Sequence, residues 1–244
     1  MPLAIFFLLL TAPCSLKKMS NIYAIGDIHG NLDLLERLMD QLQPDLNRDQ
    51  LVFMGDYIDR GPHSKGVVDY VLRLRRRPPP EQVICLKGNH EAMFLNFLQG
   101  EDIELFLVNG GVSTIRDYWG DDWEDPDDLV LPLDHRRFFE ELRLYYETDN
   151  YLFVHGGLKP GVPLTEQSEE DLLWIRGDFI VSMEDFGKKV IFGHTPFSRP
   201  LVMPNKIGID TGAAYGNLLT CLKLPEEKFI SVAHEPSEPW IYKF

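Results

Sequence analysis

Two kinds of apolar pattern alternate along the chain. Short β-branched or aromatic runs are followed by segments whose apolar residues recur at helical spacing, which predicts an α/β fold. Ile22 to Ile25 reads as a strand, and Leu32, Leu35, Leu38, Met39 and Leu42 then form the apolar stripe of a helix beginning near Asn31, an N-cap candidate. The pair repeats. Leu51 to Met54 is a predicted strand and Ser64 to Arg77 a predicted helix, burying Val67, Val68, Val71, Leu72 and Leu74 and ended by Pro78-Pro79-Pro80. Val83 to Leu86 and Glu91 to Leu98 give a third strand and a third helix. Between about Glu101 and Tyr146 the strand pattern lapses, and Phe138, Leu142, Tyr145 and Tyr146 predict at least one packed helix. Strands resume at Tyr151 to Val154, Val190 to Phe192, Ile207 to Ile209, Leu218 to Leu222 and Phe229 to Val232. No repeat or linker divides the pattern, so residues 19–244 are expected to form a single domain.

Composition narrows the function. Of 244 residues, 44% are hydrophobic and 25% charged, which fits a folded soluble domain and excludes disordered and collagen-like classes. The net charge of −14 argues against nucleic-acid partners and anionic membranes, because polyanion affinity comes largely from counterion release by Lys and Arg. The basic cluster Arg73, Arg75, Arg76 and Arg77 lies in the last turn of a predicted helix, where cations complement the helix dipole. Asp121 to Asp128, with six acids among eight residues, is expected to be a solvated loop. Cys14, Cys85 and Cys221 form no CxxC pair and no disulfide framework, which points to a reducing compartment. Cys85 and Cys221 fall in strand-like runs and are expected to be buried apolar residues.

The amino terminus is read separately. The apolar run Leu3 to Leu10 follows no Lys or Arg, Pro13 spoils a cleavage site, and the run is far shorter than the roughly 20 residues of a bilayer span. A chain starting at Met19 runs directly into the first strand. The expectation is therefore a start at Met19, a cytoplasmic location, no stable membrane span, and residues 1–18 as a mis-assigned start. An apolar export leader or membrane anchor is the competing reading.

Chemistry enters at the strand ends. Five predicted strands each end in a polar residue of metal-ligand type, within Gly26-Asp27-Ile28-His29-Gly30, Gly55-Asp56-Tyr57-Ile58-Asp59-Arg60-Gly61, Gly88-Asn89-His90-Glu91, His155-Gly156-Gly157 and Gly193-His194-Thr195. Ligands of open α/β folds bind beyond the carboxyl ends of strands. Asp27 and His29 are two apart, so in extended chain they share one side. One such Asp or His is ordinarily a turn former; five together are not. Asp27, His29, Asp56, Asn89, His155 and His194 offer carboxylate, amide and imidazole but no thiolate, a set that suits Mn, Fe or Zn. Six ligands are too many for one catalytic ion with open positions and enough for two, if one carboxylate bridges.

The ordered set GDIHG, GDYIDRG, GNHE, HGG and GHT resembles the signature of the PPP family of metallophosphatases, which includes the Ser/Thr protein phosphatases. Asp171-Leu172-Leu173-Trp174-Ile175-Arg176 is similar to the LLWxR segment of its compact bacterial members, and the resemblance spans about Ile22 to Leu222. It implies a metallophosphoesterase-type central β-sandwich flanked by helices, with a dinuclear metal site at one edge. By the same resemblance, Asp27 and His29 hold the first metal, Asp56 bridges, and Asn89, His155 and His194 complete the second. His90 is the implied general acid, oriented by Asp59, and Arg60 and Arg176 are the implied phosphate grip.

Those roles are physically coherent. A carboxylate beside an imidazole favours the proton-donating imidazolium, and a guanidinium matches two phosphate oxygens at once. Two divalent ions, with Mn the first expectation and Fe or Zn next, acidify a bridging water for direct attack, so no covalent nucleophile is needed. Neither a GxSxG elbow nor a GxxxxGK[ST] loop is present. The expected activity is hydrolysis of phosphoserine and phosphothreonine in proteins, with phosphotyrosine as a further candidate, by a metal-bridging hydroxide. The alternatives are a symmetrical diadenosine tetraphosphatase and a non-catalytic binding module. His63, His135 and His234 fall outside the motifs and are expected to be surface or core residues, while Asp210 and Tyr215 belong either to a loop near the site or to a plain turn.

Overall fold

The central strands carry apolar side chains on both faces, and the fold buries both. A computed structural model describes residues 20–76, 78–121 and 129–235; the Met19 start, Arg77 and most of the acidic run after Asp121 lie outside the described residues. The first part holds β1 (Ile22–Ile25), α1 (Leu32–Leu42), β2 (Gln50–Phe53), α2 (Ser64–Arg75), β3 (Val83–Cys85) and α3 (Asn89–Phe97). A helical stretch follows with α4 (Ile103–Phe106), a π turn (Leu107–Gly111), α5 (Val112–Trp119) and α6 (Leu133–Glu140). The remainder comprises β4 (Tyr145–Glu147), β5 (Tyr151–Val154), α7 (Glu169–Trp174), α8 (Gly177–Val181), β6 (Lys189–Phe192), β7 (Leu201–Val202), β8 (Lys206–Gly208), β9 (Leu218–Leu224) and β10 (Lys228–Ala233).

These strands make two five-stranded sheets, ordered β10-β9-β1-β2-β3 and β4-β5-β6-β8-β7. Alternate side chains divide between three apolar layers. Tyr23, Ile25, Leu51 and Phe53 meet α1, α2 and α3; Ala24, Val52 and Ile84 meet Phe153, Ile191 and Ile207 of the second sheet. On the far side Leu152, Val154, Val190 and Phe192 pack on Leu172 of α7 and Phe179 of α8. The result is a β-sandwich flanked by helices, as the resemblance implied. Burial of both faces is why these strands read as continuous apolar runs. Pairing is parallel in β1-β2-β3 and in β5-β6-β8, so the loops that carry the motifs leave the same edge of each sheet.

Several local expectations need correction. Tyr145 and Tyr146 are not helical: α6 ends at Glu140, and the chain turns into β4, antiparallel to β5, where the Tyr146 ring stacks on Phe153 at 5.9 Å. Helix α2 stops at Arg75, as the prolines that follow withdraw N–H donors, and α3 begins at Asn89, two residues early. Asn31 occupies the N-cap position of α1 without capping it; its Nδ2 donates instead to the carbonyls of Ile28 at 2.7 Å and His29 at 3.0 Å. The basic cluster is satisfied locally. Arg73 lies over the Tyr70 ring, Arg75 faces Glu141 at 3.5 Å and Arg76 faces Asp134 at 3.7 Å. Cys85 and Cys221 are buried, and burial raises both thiols, Cys85 to about 11. Among the described residues no helix is long and apolar enough to cross a membrane.

Two features hold the outer layers in place. Lys206 is fully buried and its Nζ donates to the carbonyls of Phe179 at 2.7 Å and Ser182 at 2.5 Å, a cation set on the carbonyl end of α8. The helical stretch is fixed by an aromatic cluster in which Phe94 of α3 meets Phe106 at 5.4 Å, Tyr118 and Trp119 at 6.3 Å and Phe139 at 5.1 Å. Phe94 is fully buried, so Phe94→Ala should cost about 3–5 kcal/mol by urea denaturation. A loss below about 1 kcal/mol would show that the cluster does not anchor the helical stretch.

Candidate metal centre

The strand-end loops depart from ordinary backbone where they approach one another. His29, Asp56, Asp59, Arg60 and His194 all have φ between 50° and 71°, a left-handed conformation uncommon for non-glycine residues that gathers at functional sites. Glycines let the loops close. A Cβ on Gly193 would lie 2.2 Å from Asp27 Oδ1, and one on Gly88 would lie 2.1 Å from Asp56 Oδ1. Side chains cannot fill that space without displacing a carboxylate.

The six sequence-predicted ligand residues converge, and all are buried. Donor atoms of His29, Asp56 and His90 lie within 4.8 Å of one another, as do those of Asp56, His155 and His194. Asp56 belongs to both groups. Its Oδ2 is 3.4 Å from His29 Nε2 and its Oδ1 is 3.4 Å from His155 Nε2. Asn89 joins the second group, its Oδ1 being 3.0 Å from His155 Nε2 and 2.9 Å from His194 Nδ1. Asp27 stands beside the first group: Oδ2 accepts the His194 N–H at 2.8 Å, and Oδ1 is buried with no hydrogen-bond partner among the described residues.

Backbone carbonyls orient the imidazoles. His29 Nδ1 donates to Ile58 O at 2.9 Å and His155 Nδ1 to Met54 O at 2.8 Å, which leaves both Nε2 lone pairs facing Asp56. His194 Nε2 accepts from Arg176 Nε at 2.9 Å and has Trp174 O at 3.2 Å, so either tautomer has a partner. Burial lowers the proton affinity of His29 and His155, and burial with the neighbouring His155 brings His194 to about 3. At neutral pH these three rings are therefore uncharged and able to bind a metal. His90 differs: burial works against its charge, but Asp56 and Asp59 overcome it and raise its pKa. For Asp56, burial opposes ionisation, but in acid, where the rings take up protons, His155 first and then His90, His29 and His194 prevail and hold it well below the usual carboxylate range.

This donor set fits divalent cations. Burial, Asp210 and Asp56 push Asp27 well above the usual carboxylate range, which is the response of like charges brought together without a counterion. Orphaned Asp27 Oδ1, the shared Asp56 carboxylate and the converging lone pairs are what bound cations would satisfy.

The remaining sequence-predicted residues surround that cluster. Asp59 Oδ2 is 2.6 Å from His90 Nδ1, and both groups are almost fully buried. Arg60 Nη1 reaches His29 Nε2 at 2.6 Å, and Arg176 lies at the His194 end. Asp210 and Tyr215 resolve into both of their readings at once. Asp210 Oδ1 accepts the Gly212 N–H in a turn, while its carboxylate neighbours Asp27 and burial pushes it up to about 6. Tyr215 is exposed beneath the Arg60 guanidinium. His63 is exposed and His135 buried between Tyr118 and Asp69; His234 bonds Ala213 O, and none joins the cluster.

Sequence reasoning missed the supports. Glu91, fully buried, accepts the N–H groups of Asp56 and Gly88 on Oε2, both at 2.9 Å, and that of Tyr57 on Oε1 at 2.8 Å. The signal was there, since Gly88 and Glu91 have capping-box spacing at the start of α3. Thr114 and Ser64 contact Asp59 from α5 and α2, and no local pattern marks either.

A four-layer sandwich with two histidine and carboxylate groups sharing one aspartate is the arrangement of a metallophosphoesterase. The model of the calcineurin-like phosphoesterase family matches residues 20–237, and the chain belongs to that family. It is 28% identical over 231 residues to bis(5'-nucleosyl)-tetraphosphatase PrpE [asymmetrical] of Oceanobacillus iheyensis, covering 86% of this chain and 90% of that one. It is 32% identical over 215 residues to serine/threonine-protein phosphatase 2 of Escherichia coli, covering 84% and 93%. Among solved structures, that of a provisionally assigned diadenosine tetraphosphatase superposes with TM-score 0.71 at 24% identity, covering 91% and 96%.

Glu91→Gln replaces one acceptor oxygen by an amide that cannot receive an N–H. It should cost about 1–3 kcal/mol in urea denaturation, with weaker retention of divalent metal. Unchanged stability and metal retention would remove Glu91 from the support of Asp56.

Proposed function

We propose that this metallophosphoesterase is a phosphomonoesterase acting on phosphoserine and phosphothreonine in proteins, with residues 19–244 as one catalytic domain. The observation that carries the reading is the buried pair of His90 and Asp59, joined at 2.6 Å, with His90 Nε2 turned toward Asp56 at 4.0 Å. An acid held in that position matters most when the leaving group is an alkoxide, which departs only with a proton. The 32% identical protein phosphatase of Escherichia coli supports the same choice.

In this reading Asp27, His29 and Asp56 would hold one divalent ion, and Asp56, Asn89, His155 and His194 the other. Bound ions would supply Lewis-acid charge to the phosphoryl oxygens and an acidified water as nucleophile. Mn is our first choice, with Fe or Zn as alternatives, because the donors are oxygen and nitrogen alone. Arg60 at the His29 end and Arg176 at the His194 end would orient the phosphate by paired N–H donors. His90 would deliver its proton from Nε2, since Nδ1 is engaged with Asp59.

A second reading, cleavage of a dinucleoside tetraphosphate, is favoured by the relative named for that activity and by two exposed rings at the rim. Tyr215 lies under Arg60 and Trp174 beside His194, placed where bases could stack. That relative's name specifies asymmetrical cleavage, whereas the alternative raised from the sequence was a symmetrical enzyme. The two readings differ in leaving group, since a nucleotide phosphate departs without a proton.

Metal-reconstituted protein assayed on phosphoserine, phosphothreonine and phosphotyrosine peptides beside diadenosine tetraphosphate should give the higher kcat/KM for the first two peptides. Preference for the dinucleotide would overturn the first reading. His90→Asn should lower kcat on an alkyl phosphate by about 10²–10⁴-fold and affect an aryl phosphate far less. Near-normal turnover of the alkyl ester would remove His90 as the acid.

A further inference from the structure

Asp59 enters this mechanism only through His90, so whatever fixes Asp59 sets the aim of the acid. Its backbone is in the left-handed region at φ 71°, and its side chain is fully buried, so neither water nor helix geometry holds it. Two hydroxyls do. The Asp59 N–H points at Ser64 Oγ, 3.0 Å away, and Thr114 Oγ1, 2.9 Å away; those two oxygens are 2.9 Å apart. Thr114 Oγ1 is also 2.6 Å from Asp59 Oδ1, while Oδ2 faces His90 Nδ1 at 2.6 Å.

Proton counting leaves one arrangement. A carboxylate donates nothing, so the single Thr114 hydroxyl proton lies on the bond to Asp59 Oδ1. The Ser64 hydroxyl must then donate to Thr114, whose oxygen has lone pairs for it and for the Asp59 N–H. The chain Ser64 to Thr114 to Asp59, meeting His90 Nδ1–H on the other oxygen, is closed. Ser64, Thr114, Asp59 and His90 are each at most 1% exposed. All four are shut off from bulk solvent, and in such an environment each bond is strengthened by the next.

We propose that Thr114, carried by α5 in the helical stretch, is a positioning residue that locks the Asp59 carboxylate in the plane His90 needs for protonating the leaving group. The proposal rests on His90 acting as the acid. It gives the helical stretch a task in catalysis beyond covering the sheet. Val at this position keeps the shape of Thr and loses only the hydroxyl, while Ser keeps the hydroxyl and loses a methyl group.

The test compares Thr114→Val, Thr114→Ser and His90→Asn in the full metal-loaded chain, on an alkyl and an aryl phosphate, with metal content measured for each. Thr114→Val should lower kcat on the alkyl ester by about 10–100-fold, leave the aryl ester and KM nearly unchanged and keep its metal; Thr114→Ser should restore most of the loss. Equal loss on both esters, or loss with Thr114→Ser matching that of Thr114→Val, would mean a structural role only and overturn the proposal. Wild-type turnover by Thr114→Val while His90→Asn shows the leaving-group effect would overturn it and leave the acid assignment standing. If His90→Asn shows no such effect, the acid assignment itself fails. Should Thr114→Val not fold, Thr114→Ala carries the same expectations.

Discussion

Carboxylates and imidazoles are crowded into one buried volume with Asp56 at its centre, and the rest of the structure is arranged to tolerate that crowding. Asp56 is within 3.4 Å of His29 and of His155, accepts the His90 N–H at 3.1 Å, and adopts a left-handed backbone. Taken alone, such a residue is costly in both conformation and electrostatics. It is held because Glu91 binds its N–H, because Gly88 leaves room for its carboxylate, and because parallel strands of both sheets bring their loops to one edge. Fold and site are therefore one problem: the sandwich supplies rigidity, and the cluster gives that rigidity a purpose.

Charge runs through the same logic. A net charge of −14 suggested a protein indifferent to polyanions. The structure shows that Asp27, Asp56, Asp59, Glu91 and Asp210 are buried in or around the site and do not contribute to the solvated surface. Two divalent ions there would turn an acidic region into a local cationic one, able to take a single phosphate group.

Much of this was legible in the sequence, for a physical reason. A ligand at the end of a strand is set by local sequence: the apolar run makes the strand, the glycine allows the turn, and the ligand follows. Asp27, His29, Asp56, Asn89, His155 and His194 could be picked out that way as candidates, and the fold brings them together in one buried cluster; the sandwich could be read too, because strands buried on both faces announce themselves. What escaped was created by tertiary contact. β4 and β7 are short edge strands whose existence depends on β5 and β8. Thr114 is a plain threonine in a helix until folding brings it to Asp59, 55 residues away. Asn31 looked like a cap and instead ties down the His29 loop.

The central claim is that Asp56 joins two cation sites into one centre. Calorimetric titration of metal-stripped full-length protein with Mn2+, beside Asp56→Asn, tests it most directly. Two ions bound per chain, with both lost or strongly weakened in Asp56→Asn, is the predicted result. Binding of no ion, or two ions retained unchanged in Asp56→Asn, would contradict the account.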